Sequence, residues 1–279
     1  MLGSAMVSAL QGGDGIRVSA TARTAPEEAP VSFATYAVGE TDLSGVLTGL
    51  GEGDYVVNCL GMLRNRIDDA NLADRIEATR VNAQFPHELA QHAESRGFRV
   101  IQIATDCVYS GARGAYDEGD LHDPVDVYGA TKSLGEIPHE RFLNLRCSII
   151  GRELHGRRSL LEWLLSQPQN ATISGYLDHR WNGVTTTAFA ALVRGLILEG
   201  SQLSGTHHFI PADEVTKSEL SSLILAAFDR QDVTVVPTVT GDAVDRTLAT
   251  RDPDLNARHW RLAGFAEPPT VAQMVAALP

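Results

Sequence analysis

Cysteine is scarce in this chain, with three residues, Cys59, Cys107 and Cys147, among 279. All three sit in or beside apolar, strand-like runs, at spacings that suit neither a disulfide framework nor a metal site. They read as buried thiols in a reducing compartment. Also missing are an apolar run approaching the ~18 residues of a membrane span and a charged-then-apolar leader. Cytoplasm is therefore the compartment to expect, and a membrane is not an expected partner. Positive charge is short as well: 23 Lys and Arg stand against 35 Asp and Glu, for a formal net charge of -12. That balance argues against nucleic acid or an anionic membrane as the main partner. It leaves room for an anionic ligand held by local arginines and backbone N–H groups; otherwise it is the acidity of a solvated surface. The nine histidines show no HExxH or comparable pairing, and His207 and His208 in "GTHHFI" fall on alternating faces of a strand-like segment. No metal is expected. Repeats, low-complexity tracts and an obvious linker are absent too.

What is present is an alternation of short apolar runs with helical patterns. "IRVSATAR" (16–23) and "YVVNCLG" (55–61) read as strands. "RVNAQFPHELAQHAESRG" is an amphipathic helix that Gly97 ends, and "FRVIQIATDCVYSG" is a third strand running into a loop. "VYGATKSLGEIPHE" is helical, and "RFLNLRCSIIG" (141–151) is a fourth strand. Strand and helix alternating at this pitch predict an α/β fold, a doubly wound parallel sheet. Ligands of such sheets sit at the carboxyl ends of the strands, where Gly61, Thr105 and Gly151 fall. Beyond Gly151 the rhythm loosens: "SLLEWLLSQ", "TTAFAALVRGLILEG", "KSELSSLILAAFDRQ" and "TVAQMVAAL" are helical, and "GTHHFIPA" and "VTVVPTVT" are strands. The expected division is a dinucleotide-binding domain over 1–150 and a smaller substrate lobe over 151–279, partly interleaved with it.

Two residues of "YGATKSLGE", Tyr128 and Lys132, lie four apart on a helical segment and so project from one face. A lysine ammonium close to a phenol favours the phenolate and lowers the tyrosine pKa. Such a tyrosine exchanges a proton with a carbonyl/alcohol pair, and the lysine can also bind ribose hydroxyls. A chance surface pair is the plain alternative. Earlier, "IATDCVYSG" places Thr105 and Asp106 where a strand ends. There the Thr105 hydroxyl could bond the carbonyl oxygen that the tyrosine protonates, or simply form a turn. Asn82 in "RVNAQFP" sits between these strands, either as a site residue or as an ordinary polar residue at a helix start.

The segments "VVNCLGMLRN", "RVNAQFPHELA", "IQIATDCVYSG", "YGATKSLGE", "LRCSIIG" and "LLEWLLSQ…WNGVTT" together resemble the extended short-chain dehydrogenases/reductases. The narrower resemblance is to the dTDP-4-dehydrorhamnose reductase family of sugar-nucleotide reductases. "TDCVYSG" followed by "YGATKSLGE" is the specific part. The resemblance implies a catalytic set of Thr105, Tyr128 and Lys132, with Tyr128 protonating a 4-keto oxygen as the cofactor delivers hydride to carbon 4. It implies substrate contacts from Thr105, Asp106 and Ile149, although Ile149 stands where the better-known rhamnose enzymes carry a tryptophan. On the cofactor side it points to Gly3, Arg23, Asp42, Leu60, Gly61, Met62 and Ile103, together with Tyr128 and Lys132. Arg23 ends the second family strand, where an acidic residue would bind a ribose 2′-OH and an arginine accommodates a 2′-phosphate. NADP(H) is thus favoured over NAD(H), unless Arg23 is only a solvent-facing strand end.

In "MLGSAMVSAL" the apolar residues Leu2, Ala5, Met6, Ala9 and Leu10 follow helical spacing, and Gly12, Gly13 and Gly15 stop the pattern. Gly3 matches the third glycine of the family's phosphate-binding turn. The strand and two glycines that precede it in the family have no counterpart, so the expectation is that Met1 is an internal methionine. It follows that "IRVSATAR" and "YVVNCLG" should be separated by a gap or pulled together. The implied partners are a nucleotide-sugar substrate and, as an option, a second copy in a homodimer. The alternatives to a reductase are a regulatory or binding protein on the same fold, and a sugar-nucleotide epimerase or dehydratase.

Overall fold

Helical spacing in the first ten residues becomes α1 (Leu2–Leu10), which buries Leu2, Met6 and Leu10. The computed structural model describes residues 1–11, 15–24, 30–153 and 159–278; Gly12 and Gly13 of the opening glycine cluster lie outside them. β1 (Ser19–Ala22) and β2 (Ser32–Thr35) pair in parallel, and α2 (Leu43–Val46) follows. β3 (Tyr55–Asn58) leads through a 3-10 turn at Arg64–Arg66 to α3 (Leu72–Thr79), and a π-helical turn at Arg80–Gln84 continues it into α4 (Phe85–Arg96). β4 (Arg99–Ala104), α5 (Val127–Leu134) and β5 (Phe142–Arg146) come next. The remainder comprises β6 (Ile149–Ile150), α6 (Leu160–Leu165), β7 (Thr172–Tyr176), β8 (His179–Trp181), β9 (Val184–Thr185) and α7 (Thr186–Leu198). After these come β10 (Gly205–His208), β11 (Val215–Thr216), α8 (Lys217–Ala227), β12 (Thr234–Thr238), β13 (Val244–Asp245), α9 (Pro253–Leu262) and α10 (Val271–Ala276).

The main sheet has the order β10-β5-β4-β3, with every pairing parallel. β5 is buried along its whole length and β4 nearly so, as in parallel sheets covered on both faces. On one face lie Phe85, Leu89 and Ala93 of α4. On the other, α1 and α7 join a larger core that runs from Met6 through Leu145 to Phe189, Phe209 and Trp260. β10 comes from beyond residue 200 yet completes this sheet. The second half adds the pairs β6-β9 and β12-β7 and the sheet β11-β8-β13.

Three features differ from the sequence reading. Among the described residues β1 and β2 form a sheet of their own, not hydrogen-bonded to β3, which is the separation expected of "IRVSATAR" and "YVVNCLG"; the strand itself, however, starts at Ser19, not Ile16. α5 stops at Leu134, because Pro138 disfavours helix at the residue before it and offers no N–H. "RFLNLRCSIIG" is two strands: β6 leaves the main sheet to pair with β9. β7, β8 and α9 are further elements that the sequence pattern does not predict. No helix among the described residues is long and apolar enough to cross a membrane.

Candidate active site

Two local structures build the site. β4 ends at Ala104, and the next residue, the buried Thr105, caps a 3-10 turn over Asp106–Val108. Its hydroxyl accepts from the Cys107 N–H at 3.2 Å and donates to Asp106 Oδ1 at 3.2 Å. α5 begins under Asp126, whose carboxylate accepts from Gly129 N at 2.7 Å and pairs with Arg64 at 2.9 Å. The glycines of "YGATKSLGE" explain how α5 approaches its neighbours. A Cβ on Gly129 would lie 2.1 Å from the Cys107 carbonyl oxygen, and one on Gly135 would lie 2.0 Å from that of Asn82. Only glycine permits backbone-to-backbone packing of that kind. The result is that Tyr128 stands beside the Thr105 turn, with the buried Lys132 one turn further on. A cavity of about 320 Å³, lined by Leu63, Arg64, Asn65 and Tyr128, opens next to them.

The electrostatics correct one expectation. Burial pushes the Tyr128 hydroxyl well above its ordinary range; Cys107, Asp106 and Asp126 add to this, and a hydrogen bond with Thr105 draws it partly back. The shift is thus upward, not the lowering that a nearby lysine would cause. The Lys132 ammonium instead donates to the Ile103 carbonyl at 2.8 Å. Burial lowers its own pKa to about 8, against the opposing pull of Glu136 and Cys147. The phenol is therefore held neutral and proton-bearing, a form suited to donation.

Asn82 is not a helix-start residue. The helix begins at Leu72 under an Asn71 cap, and Asn82 lies in the π-helical turn. Such turns place a side chain where a regular helix would not. Asn82 Oδ1 accepts from Met62 N at 2.8 Å, and its Nδ2 donates to Met62 O at 3.0 Å and to Thr131 Oγ1 at 3.2 Å. A second, unforeseen tie runs through buried amides. Leu60 N donates to Asn58 Oδ1 at 3.0 Å, Asn58 Nδ2 to Gln102 Oε1 at 2.8 Å, and Gln102 Nε2 to the Gly135 carbonyl at 2.6 Å. Both paths lock the Leu60–Met62 loop to α5. The available signal was polar residues within apolar strands, Asn58 in "YVVN" and Gln102 in "RVIQIA".

Thr105, Asp106, Tyr128, Lys132, Ile103 and the Leu60–Met62 loop thus gather at the carboxyl ends of β3 and β4. Gly3 lies in the first turn of α1; a Cβ there would meet Cys59 Cβ at an ordinary 3.8 Å, so packing against Cys59 does not itself require glycine. Ile149 lies in β6, next to Ser148, which accepts the Trp181 indole N–H at 2.8 Å. Arg23 and Asp42 stand apart from this cluster. Arg23 is exposed just past β1, and Asp42 caps α2, accepting from Ser44 N and Gly45 N at 3.0 and 3.1 Å.

The profile of the RmlD substrate binding domain matches residues 1–278. A dTDP-4-keto-6-deoxy-D-glucose reductase of Streptomyces niveus is 26% identical over 218 residues, which cover 75% of this chain and 73% of that one. Methionine adenosyltransferase 2 subunit beta of Bos taurus is 28% identical over 163 residues, 54% of this chain and 48% of its own length. Among solved structures, dTDP-4-dehydrorhamnose reductase from Bacillus anthracis in complex with NADP superposes with a TM-score of 0.69 at 19% identity. That match covers 92% of this chain and 96% of that one and carries the fold, a Rossmann-type α/β architecture. With the profile matched across nearly its whole length, the chain belongs to the RmlD substrate binding domain family.

Proposed function

We propose that the protein reduces the 4-keto group of a nucleotide-linked 6-deoxy sugar with NADPH. The observation that carries this reading is the convergence of a half-buried phenol held neutral, a buried threonine hydroxyl beside it and a buried lysine at one strand end. In this reading Tyr128 gives its proton to the keto oxygen while Thr105 holds that oxygen by a hydrogen bond. Lys132 orients the cofactor ribose, and Asp106 and Ile149 contact the sugar. The bound nicotinamide supplies the hydride. Residues 1–150 hold the dinucleotide and 151–279 the sugar nucleotide. The Leu60–Met62 loop fits a flat ring, since both its ends are pinned by amides and the exposed Gly61 between them offers no side chain. Arg23, exposed where β1 ends, favours the 2′-phosphate of NADP(H) over NAD(H).

The test is Tyr128→Phe, with NADPH consumption followed on a dTDP-4-keto-6-deoxyhexose. Turnover should fall on the order of 10²–10⁴-fold, the scale of general acid catalysis, while NADPH affinity stays nearly unchanged. Unaltered turnover would remove Tyr128 from the mechanism. The match to methionine adenosyltransferase 2 subunit beta, a subunit by its name, supports a second reading, a non-catalytic partner protein. NADPH binding without turnover of any 4-keto sugar would favour it.

A further inference from the structure

The short turn after the Leu60–Met62 loop remains without a role in the site above. Its four residues, 63–66, are all exposed, yet Leu63, Arg64 and Asn65 line the cavity that Tyr128 also lines. One wall of the site is therefore an exposed turn. Both its ends are held: Met62 exchanges two hydrogen bonds with the Asn82 amide, and Ile67 is 5% exposed. Within it, Arg66 N donates to the Leu63 carbonyl at 2.9 Å. A 3-10 turn has few bonds of its own, in poor geometry, so its place against Tyr128 needs an outside hold.

That hold comes from the residue that starts α5. Arg64 Nε lies 2.9 Å from Asp126 Oδ2, while Asp126 Oδ1 accepts from Gly129 N at 2.7 Å. One carboxylate is thus shared: one oxygen caps the helix that carries Tyr128, and the other grips the turn facing it. Ion pairs with an exposed partner are commonly weak, because two long side chains must be ordered and water screens them. Here much of the ordering is already done. The Asp126 side chain, 14% exposed, is fixed by its capping bond, and the Arg64 side chain, 54% exposed, is steadied as Nη1 donates to the Ile67 carbonyl at 3.3 Å. A cap needs an acceptor oxygen and not a charge, so the charge of Asp126 is left to serve Arg64.

Building on the reductase reading, we infer that Arg64 and Asp126 are positioning residues, whose ion pair latches the 63–66 turn to the start of α5 and so fixes the wall that the keto sugar meets beside Tyr128. Arg64 acts through the turn it holds and not as a ligand to the substrate. With the latch open, α5 keeps its cap and the Leu60–Met62 loop keeps its amide bonds. Neither Tyr128 nor the loop that fits the cofactor ring then moves with the turn. The loss falls on the sugar.

Steady-state kinetics with NADPH and a dTDP-4-keto-6-deoxyhexose, run on two variants and their combination, tests this. Arg64→Ala removes the cation, and Asp126→Asn removes the charge but keeps a capping oxygen. Each should raise KM for the keto sugar about three- to fivefold, with kcat and KM for NADPH changing by less than about twofold. The double variant should be no worse than either single one, since both break the same contact. Arg64→Lys restores a cation and should recover part of the loss. An unchanged sugar KM in both single variants would overturn the inference. So would a rise in Arg64→Ala alone, which would make Arg64 a direct contact of the sugar nucleotide, or additive rises, which would give the two residues separate tasks. A fall in kcat at unchanged KM would overturn it too, assigning the pair to the integrity of α5. The reductase reading fails separately: an unaltered protein that consumes no NADPH on any 4-keto sugar would sink that reading, and this inference with it.

Discussion

β1–β2 and β4–β5 are both parallel strand pairs, and they live in opposite surroundings. β1 alternates between exposed and half-buried positions, β2 is exposed except at Phe33, and their residues are Ser, Ala, Thr and that one Phe. β4 and β5 are buried almost throughout, between the α4 layer and the core that α1 and α7 close. Polar side chains occur in both pairs but meet different fates. Those of β1–β2 can be solvated. Those of β4–β5 cannot, so each is bonded: Gln102 to Asn58 and Gly135, Asn144 to the Ile137 carbonyl, and Arg146 to a cluster of its own. Burial has turned the polar residues of the central strands into wiring for the site, because an unpaired polar group there would cost ~1–3 kcal/mol.

The Arg146 cluster is the extreme case. Its guanidinium holds Glu136 through two bonds, at 3.0 and 2.6 Å, and also reaches Tyr109 Oη, His208 Nε2 and His122 Nε2. Since arginine only donates, both imidazoles accept at Nε2 and are neutral. The cluster ties the end of α5 to β5 and β10.

The comparison is broken or sharpened most by Arg146→Met. It leaves the Glu136 carboxylate buried without its partner and should cost about 3–5 kcal/mol in urea unfolding, whereas Arg23→Ala at the end of β1 should stay within about 0.5 kcal/mol. Equal losses would erase the contrast between the two strand pairs.

Acid should expose the same contrast. Burial holds His208 and His259, 1% and 0% exposed, down to about 4 from 6.5. Between those values the unfolded chain takes up protons that the native state refuses. Stability therefore falls as pH drops from 6.5 toward 4, by ~1.4 kcal/mol per pH unit for each histidine. Among the described residues His259 has no hydrogen-bond partner on either ring nitrogen, so His259→Phe should remove its share of the slope, read as the urea midpoint against pH. An unchanged slope would mean that His259 protonates in place.

The smallest effect is kinetic. Amides of β4 and β5 should exchange with deuterium only through global unfolding, and those of β1 and β2 by local opening, faster by roughly a hundredfold or more. Matching protection would show that β1–β2 is held by more than its own ladder.

Much of the site was legible because its signals are local. Tyr128 and Lys132 fall on one face of α5 by helical period alone, and Thr105 follows an apolar run that could only be a buried strand. Asn82 stands out in the sequence as a polar residue, but its place does not, since a π-helical turn leaves no mark in the apolar periodicity. The Asn58–Gln102 relay was invisible for another reason. It depends on register, Asn58 opposite Gln102 and Gln102 opposite Asn144 across three strands, and residues 44 and 42 apart in sequence carry no sign of being neighbours.

Sequence by itself determined which residues are chemically able to act: a phenol and an ammonium four residues apart, a hydroxyl at a strand end, and glycines where α5 had to approach other backbone. Tertiary structure alone decided how those groups behave. It turned the expected lowering of the Tyr128 pKa into a rise and sent the Lys132 ammonium to the Ile103 carbonyl. The physical reason is that spacing along a helix is a property of the backbone, whereas a pKa, a desolvation cost or an ion's partner depends on everything that packs around it.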